Sequence, residues 1–169
     1  MLCTLNHFIL DDSIDESVKA HIDIHVISQA KEATQLLSTA KNILQNNSGP
    51  YKTTHVNHPI AVWVRESYQN YLWMCRYGLR LCEEYTHRYH KVHKCEKHVR
   101  DMLASPPKFT EEKITPFCKC MDEEYQRASV IDSYRTYYLE DKLKRLKNSW
   151  KGRQAPEWVL SAEQYEIWG

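Results

Sequence analysis

Glycine and proline are scarce, with 4 Gly and 6 Pro in 169 residues, well under average usage for the two together. Turn-rich sandwiches and barrels, collagen-like chains and disordered linkers all use more of both, so the composition points away from each of them. Long apolar runs are missing too. The nearest, Ile60 to Val64, is cut by Arg65 and Glu66, far short of the roughly 18 to 20 residues that a membrane span needs. The first ten residues, MLCTLNHFIL, carry no basic stretch and meet Asp11 and Asp12 without a small-residue cleavage site. No signal peptide is expected, and the expectation is a soluble cytoplasmic chain with no membrane partner. Neither charge sign dominates: 23 basic against 22 acidic residues give +1, so bulk electrostatics does not nominate duplex DNA, although nucleic acid stays open as a partner. No G-x-G, G-K-S/T or G-x-S-x-G occurs, which removes P-loop kinases, Rossmann enzymes and the hydrolase nucleophile elbow.

What remains reads as all-α: one single-domain helical bundle over residues 1–169, with homo-oligomerisation left open. Aromatic residues are biased toward polar handles, with 11 Tyr and 5 Trp against 3 Phe, a bias that suits amphipathic pockets and interfaces. Cys75 and Cys82 fall inside a helical apolar pattern, where a free thiol packs as a small hydrophobe in a reduced protein. His87, His90, His93, Cys95, His98, Cys118 and Cys120 offer metal donors, yet no C-x-x-C pair occurs. Their spacing matches no usual structural zinc pattern, so no metal or other cofactor is expected.

Residues 2–10 alternate loosely, as a short strand or an extended arm. Asp12 or Ser13 should cap a first helix to about His21, with Asp15 and Glu16 in its first turn. A longer helix from Asp23 to about Gln45 carries Val26, Ala30, Ala33, Leu37, Ala40 and Leu44 at the spacing of a buried stripe. Asn57 should cap a helix with Pro59 in its first turn, continuing or restarting at Ser67 and running to Tyr89. Helices over His93–Leu103 and Ile131–Lys147 follow, separated by a proline-bounded loop from Pro106 to Pro116, and a short turn lies near Ala162–Trp168.

Two stretches carry candidate chemistry. In Asn57–His98, the residues His58, Trp63, Asn70, Tyr85, Arg88, Lys91, His93 and Lys94 put stacking faces, hydrogen-bonding groups and cations on neighbouring turns, a set able to hold a base between rings and a phosphate between cations. In Ser133–Arg153, Tyr134, Tyr138 and Lys142 share a helix face beside Arg135. The expectation is that these two helices face one another, so that Arg88 and Arg135 bracket an anionic ligand whose base stacks on Trp63, Tyr85 or Tyr138.

The blocks DIHVISQAKEATQLLSTA, YKTTHVNHP, LCEEYTHRYHKVHKCE, SYRTYYLEDK and APEW, in this order, resemble a family of small phage-encoded helical proteins. That family is distantly similar to the phage pyrimidine-dimer DNA glycosylase, endonuclease V, through Asp23, His25 and Glu32. The resemblance implies a helical scaffold with a pocket for a flipped base or nucleotide and a helix glutamate, Glu32, that assists attack by an N-terminal threonine amine. This chain begins Met1-Leu2, a start expected to keep Met1 and leave Thr4 internal, so the amine nucleophile lacks its match. Two functions follow. The first is a non-catalytic protein that sequesters a nucleotide-derived small molecule, such as a cyclic oligonucleotide or an ADP-ribose derivative serving as a host immune signal. The alternative is a glycosylase or base-modifying enzyme using Glu32 with His25 or His58.

Overall fold

A computed structural model describes residues 5–168, with side chains as far as Gln164. The expectations for Met1, Leu2 and Thr4 therefore lie outside the described residues. From Leu5 to Leu10 the chain is buried and forms neither helix nor strand. It is fastened by Ser17, whose hydroxyl accepts the Leu10 N–H at 2.9 Å and donates to the Phe8 carbonyl at 3.2 Å. Helix α1 (Ile14–Ala20) is capped by Ser13, which accepts the Glu16 N–H. Helix α2 (Asp23–Leu44) buries Val26, Ala30, Ala33, Leu37 and Ala40 of the expected stripe, while Leu44 at its end is exposed. Its inner side also buries His25, Gln29, Thr34 and Ser38, which is more polar surface than a packed helix usually hides.

Helix α3 (Pro59–Glu66) is capped by His58 rather than Asn57, because the imidazole Nδ1 accepts the Ile60 N–H at 3.1 Å. Ser67 breaks the chain and caps α4 (Tyr68–Tyr89) by accepting the Asn70 N–H. Gly78 lets α4 cross α2 closely, since a Cβ there would stand 3.3 Å from the Ala33 Cβ. Helix α5 (Glu96–Ala104) starts later than expected: His93 Nδ1 accepts the Cys95 N–H in a turn before it. The loop that follows returns over α3 and α4 and is held by Asn70, which bonds Thr115 and the Trp63 carbonyl.

The later tyrosine helix is not continuous. Helix α6 (Val130–Tyr137) passes through a π turn (Tyr138–Lys142) into a last short helix, α7 (Leu143–Arg145). The wider turn coincides with Tyr138 placing its hydroxyl against His25 Nδ1 at 2.6 Å and the Ile22 N–H at 3.1 Å. Residues 146–156 then run as a strap back across the start of α2 to α8 (Glu157–Trp168), a full helix where only a short turn was expected. Two apolar clusters result. One lies among α2, α3, α4 and α5; the other gathers the N-terminal arm and α6; Trp73 and Phe117 pack against both and join them. Among the described residues the architecture is all-α, and no helix is long and apolar enough to cross a membrane.

Candidate functional site

The centre of the polar structure is Glu84, a fully buried carboxylate on α4 that accepts hydrogen bonds from three guanidinium groups. Arg88 Nε reaches Oε1 at 2.9 Å, Arg80 Nη2 reaches Oε2 at 2.9 Å, and Arg153 from the strap binds both oxygens at 3.0 and 3.1 Å. Burial alone would raise the Glu84 carboxyl, but these bonds hold it down at about 2. Arg88 spends its other donors on the Lys19 and His21 carbonyls and on Asp23 Oδ1, the last at 2.9 Å. Asp23 in turn accepts the Lys151 N–H at 2.9 Å. One buried network thus ties α1, α2, α4 and the strap together.

Above it opens a cleft of about 830 Å³, lined by Leu10, Lys19, Arg135, Arg153, Pro156 and Trp158 among others. Arg135 is fixed by its Nε on the Leu10 carbonyl at 2.8 Å and by Nη2 on Asp11 at 3.1 Å. Its guanidinium lies 5.3 Å from the centre of the Trp158 ring. Arg153 is fixed by Nε and Nη2 on Glu84. Both guanidinium groups are therefore held along one edge, which leaves Nη1 with hydrogens to give. Asp11, Glu16 and Glu157 stand on the same walls. The cleft offers fixed cationic donors, an indole and a few carboxylates, in the size range of small-ligand sites.

A second polar array lines the inner face of α2. Glu32 Oε2 accepts the Asn6 N–H at 3.0 Å and a Gln29 Nε2 hydrogen at 2.8 Å. Gln29 Oε1 meets the Tyr77 hydroxyl at 3.3 Å, and that hydroxyl meets His21 Nε2 at 3.0 Å. Each of three buried histidines is paired with a tyrosine hydroxyl: His21 with Tyr77, His25 with Tyr138 and His7 with Tyr134. Burial drives all three toward the neutral form, lowering His7 and His25 to about 3 and His21 to about 4. For His7 the hydrogen count goes further. The Tyr134 hydroxyl donates to the Cys118 carbonyl at 3.0 Å, so it must receive the His7 Nδ1 hydrogen at 3.1 Å. His7 Nε2 is then a bare lone pair, buried without a partner between Trp63, Trp73 and Phe117.

The sequence-derived candidates do not form one site. Arg88 is 1% exposed with all three guanidinium nitrogens bonded, so it does not face Arg135 across a pocket as expected. Trp63, Tyr134 and Tyr138 are core aromatics with bonded polar ends, and Asn70 ties down a loop. Lys142 pairs with Asp141 and lies 4.5 Å from the Tyr137 ring centre. His58 caps α3, and His25 and Glu32 share the inner face of α2. Tyr85, Lys91, His93 and Lys94 gather at the surface where α4 ends. Only Arg135 lies in the cleft.

Sequence reasoning missed Lys19, Arg153 and Trp158 in the cleft and His7, His21 and Tyr77 in the buried array. Part of the signal for the array was present: His7 in the largely apolar run Leu5 to Leu10, and His25 and Gln29 on the inward stripe of α2 that carries Val26, Ala30 and Ala33, with His21 one turn before them at the end of α1. The cleft residues gave none, because they come from segments whose approach is purely tertiary. Among the described residues no group of three or more His, Cys, Asp or Glu side chains is arranged to hold a metal ion, and none of the described cysteines is bridged. Comparison of the chain with protein families, with curated proteins and with solved structures finds no match in any of the three.

Proposed function

We propose that this chain binds a nucleotide-derived anion in the cleft between α1, α6 and α8 and holds it without turning it over. The observation that carries the reading is the pair Arg135 and Arg153. Each is anchored along one edge and each retains Nη1 hydrogens at the wall of one cleft, beside the indole of Trp158. Guanidinium groups pre-oriented in this way recognise phosphate with little entropy left to lose. An indole supplies a stacking face worth roughly 1 to 3 kcal/mol per base. Cyclic oligonucleotides and ADP-ribose derivatives combine several phosphates with stacking bases, which fits sequestration of a nucleotide signal in a phage setting. Calorimetric titration against mono-, di- and cyclic nucleotides tests this. Saturable binding that Arg135→Ala weakens tenfold or more is expected, and absence of binding across the panel overturns it.

A second reading is favoured by Glu32. It is half-buried, oriented by Gln29 and the Asn6 amide, and adjoins the N-terminal arm, as a helix glutamate assisting a terminal amine would need to be. Incubation with abasic or pyrimidine-dimer DNA under borohydride separates the two readings. No covalent adduct is expected, and trapping that Glu32→Gln abolishes would make the enzyme reading the correct one.

A further inference from the structure

The end of α4 carries a face that the cleft does not use. Tyr85 and Tyr89, one turn apart, lie with ring centres 5.0 Å apart and planes at 33°, and His93 meets Tyr85 edge-on at 4.9 Å. Lys151 from the strap places its ammonium 5.1 Å from the centre of the Tyr89 ring. The chain reverses sharply here because His90 takes a left-handed conformation at φ 54°. Thr86 fastens the reversal by donating to the Lys91 carbonyl at 3.0 Å, and His87 meets the Gly152 carbonyl at 3.3 Å. The turn thereby sets Lys91 and Lys94 in solvent on either side of His93. Lys91, Lys94 and Lys151 form no ion pair among the described residues, while of the neighbouring acids Glu84 and Asp23 are spent on arginines, Glu96 faces Arg100, and Glu83 stands exposed on α4. A chain with a net charge of only +1 has therefore concentrated unpaired positive charge around a short ladder of half-exposed rings.

We infer that this face is a docking surface for single-stranded nucleic acid. Lysines spaced around stacked rings are what a flexible strand needs, since phosphates follow the cations while unpaired bases lie on the aromatic faces. A duplex keeps its bases stacked inside, so the rings would have nothing to receive, and the face is a helix end with a turn rather than a helix shaped to enter a groove. An anionic membrane would attract the same lysines but needs an apolar face to bury, and Val92 is the one large aliphatic side chain exposed on this turn. The inference is independent of the ligand of the cleft. The two surfaces meet along the strap, where Lys151 faces the rings and Arg153, two residues on, faces the cleft.

The test is fluorescence anisotropy of the full chain with a labelled oligothymidylate of about 12 nucleotides, a length within the usual range of single-strand sites. Binding is expected to weaken with added salt, with a log–log slope near −2 for about three phosphates neutralised at ~0.7 each. The double variant Lys91→Ala/Lys94→Ala, both in solvent and outside the core, should fold as the parent does by thermal melting, bind tenfold or more weakly and show a shallower slope. Tyr85→Leu, which keeps apolar bulk and removes the ring, should weaken binding with the slope unchanged. The exposed pair Lys144→Ala/Lys147→Ala should leave binding as it is. The inference is overturned by no binding at low salt, by an unaltered Lys91→Ala/Lys94→Ala variant, by equal affinity for a duplex of the same length, or by tighter capture on phosphatidylserine vesicles than on the oligonucleotide.

Discussion

Arg88 and Arg135 show how differently two arginines act that the sequence reads alike. Both sit among tyrosines on helices, but burial separates them, at 0% and 30% side-chain exposure. Removing Arg88 would leave Asp23 short of its cation and take one of three partners from Glu84. Breaking a buried pair from one side costs about 3 to 5 kcal/mol, because the remaining charge stays desolvated. Arg88→Ala is therefore expected to lower the urea midpoint strongly, and Arg88→Lys to recover little of it, since one ammonium cannot span the carboxylates and carbonyls that the planar fork reaches. Arg135→Ala loses a carbonyl bond and a partly exposed ion pair, worth about 1 to 2 kcal/mol together, and should act mainly on ligand affinity. The i,i+4 spacing of Glu84 and Arg88 was legible in the sequence. That the pair points inward was not, because two charged residues on a helix face are ordinarily solvated.

Among the elements, α2 has the least ordinary beginning. Its N-cap position is Ile22, which has no side chain able to accept a hydrogen bond, so the free N–H groups of the first turn need partners from elsewhere. The strap and the π turn supply them: the Ser149 carbonyl accepts the Asp23 N–H at 2.8 Å and the Tyr138 hydroxyl accepts the Ile22 N–H at 3.1 Å. Tyr138→Phe should cost about 1 to 3 kcal/mol, since it strands a buried donor and removes the partner of His25. Gly152 has φ 69° and lets the strap turn back toward His87. Gly152→Val puts a branched side chain in that region, so the Asp23 and Lys151 amides should exchange with deuterium markedly faster while Leu37 keeps its protection. Faster exchange spread evenly over α2 would mean that the strap does not act as the cap. Helices α1 and α4, each with a capping serine, and α2, with a clear stripe but no capping side chain, could be read from the sequence within a residue or two. The cap of α3, the start of α5, the π turn and the length of α8 could not, because each depends on a histidine cap, a distant hydroxyl or tertiary docking that has no local signature.

At the scale of the whole molecule, the near-neutral charge conceals a division of labour. Positive charge is drawn inward around Glu84 and outward around Tyr85 and Tyr89, while neutral histidines fill the interior. Composition gave the class of fold and flagged the polar aromatics, but the assembly of cleft, network and ring ladder from segments far apart in the chain was beyond any pattern of spacing. Those interior histidines set the pH response. An unfolded histidine titrates near 6.5, whereas burial holds His7 and His25 at about 3 and His21 at about 4. Between these limits the unfolded chain binds more protons than the folded one, so stability is complete above about pH 6.5 and declines as the pH falls toward 4. Each histidine contributes a slope of up to about 1.4 kcal/mol per pH unit. By pH 5 the loss is roughly 2 kcal/mol apiece, about 6 together, which is of the order of a domain's entire stability. Glu84, whose folded value is about 2, withdraws its contribution only below the ordinary carboxylate range, so it adds to acid lability after the histidines have acted. Thermal midpoints measured at half-unit steps from pH 7.5 to 4.5 should fall steeply below about 6.5, and the triple variant His7→Phe, His21→Gln, His25→Phe should flatten the fall even if its midpoint at pH 7.5 is lower. A parent midpoint that stays level down to pH 5 would show that the three imidazoles meet water or a carboxylate in the folded chain, contrary to the dry, hydroxyl-paired environment in which they are placed here.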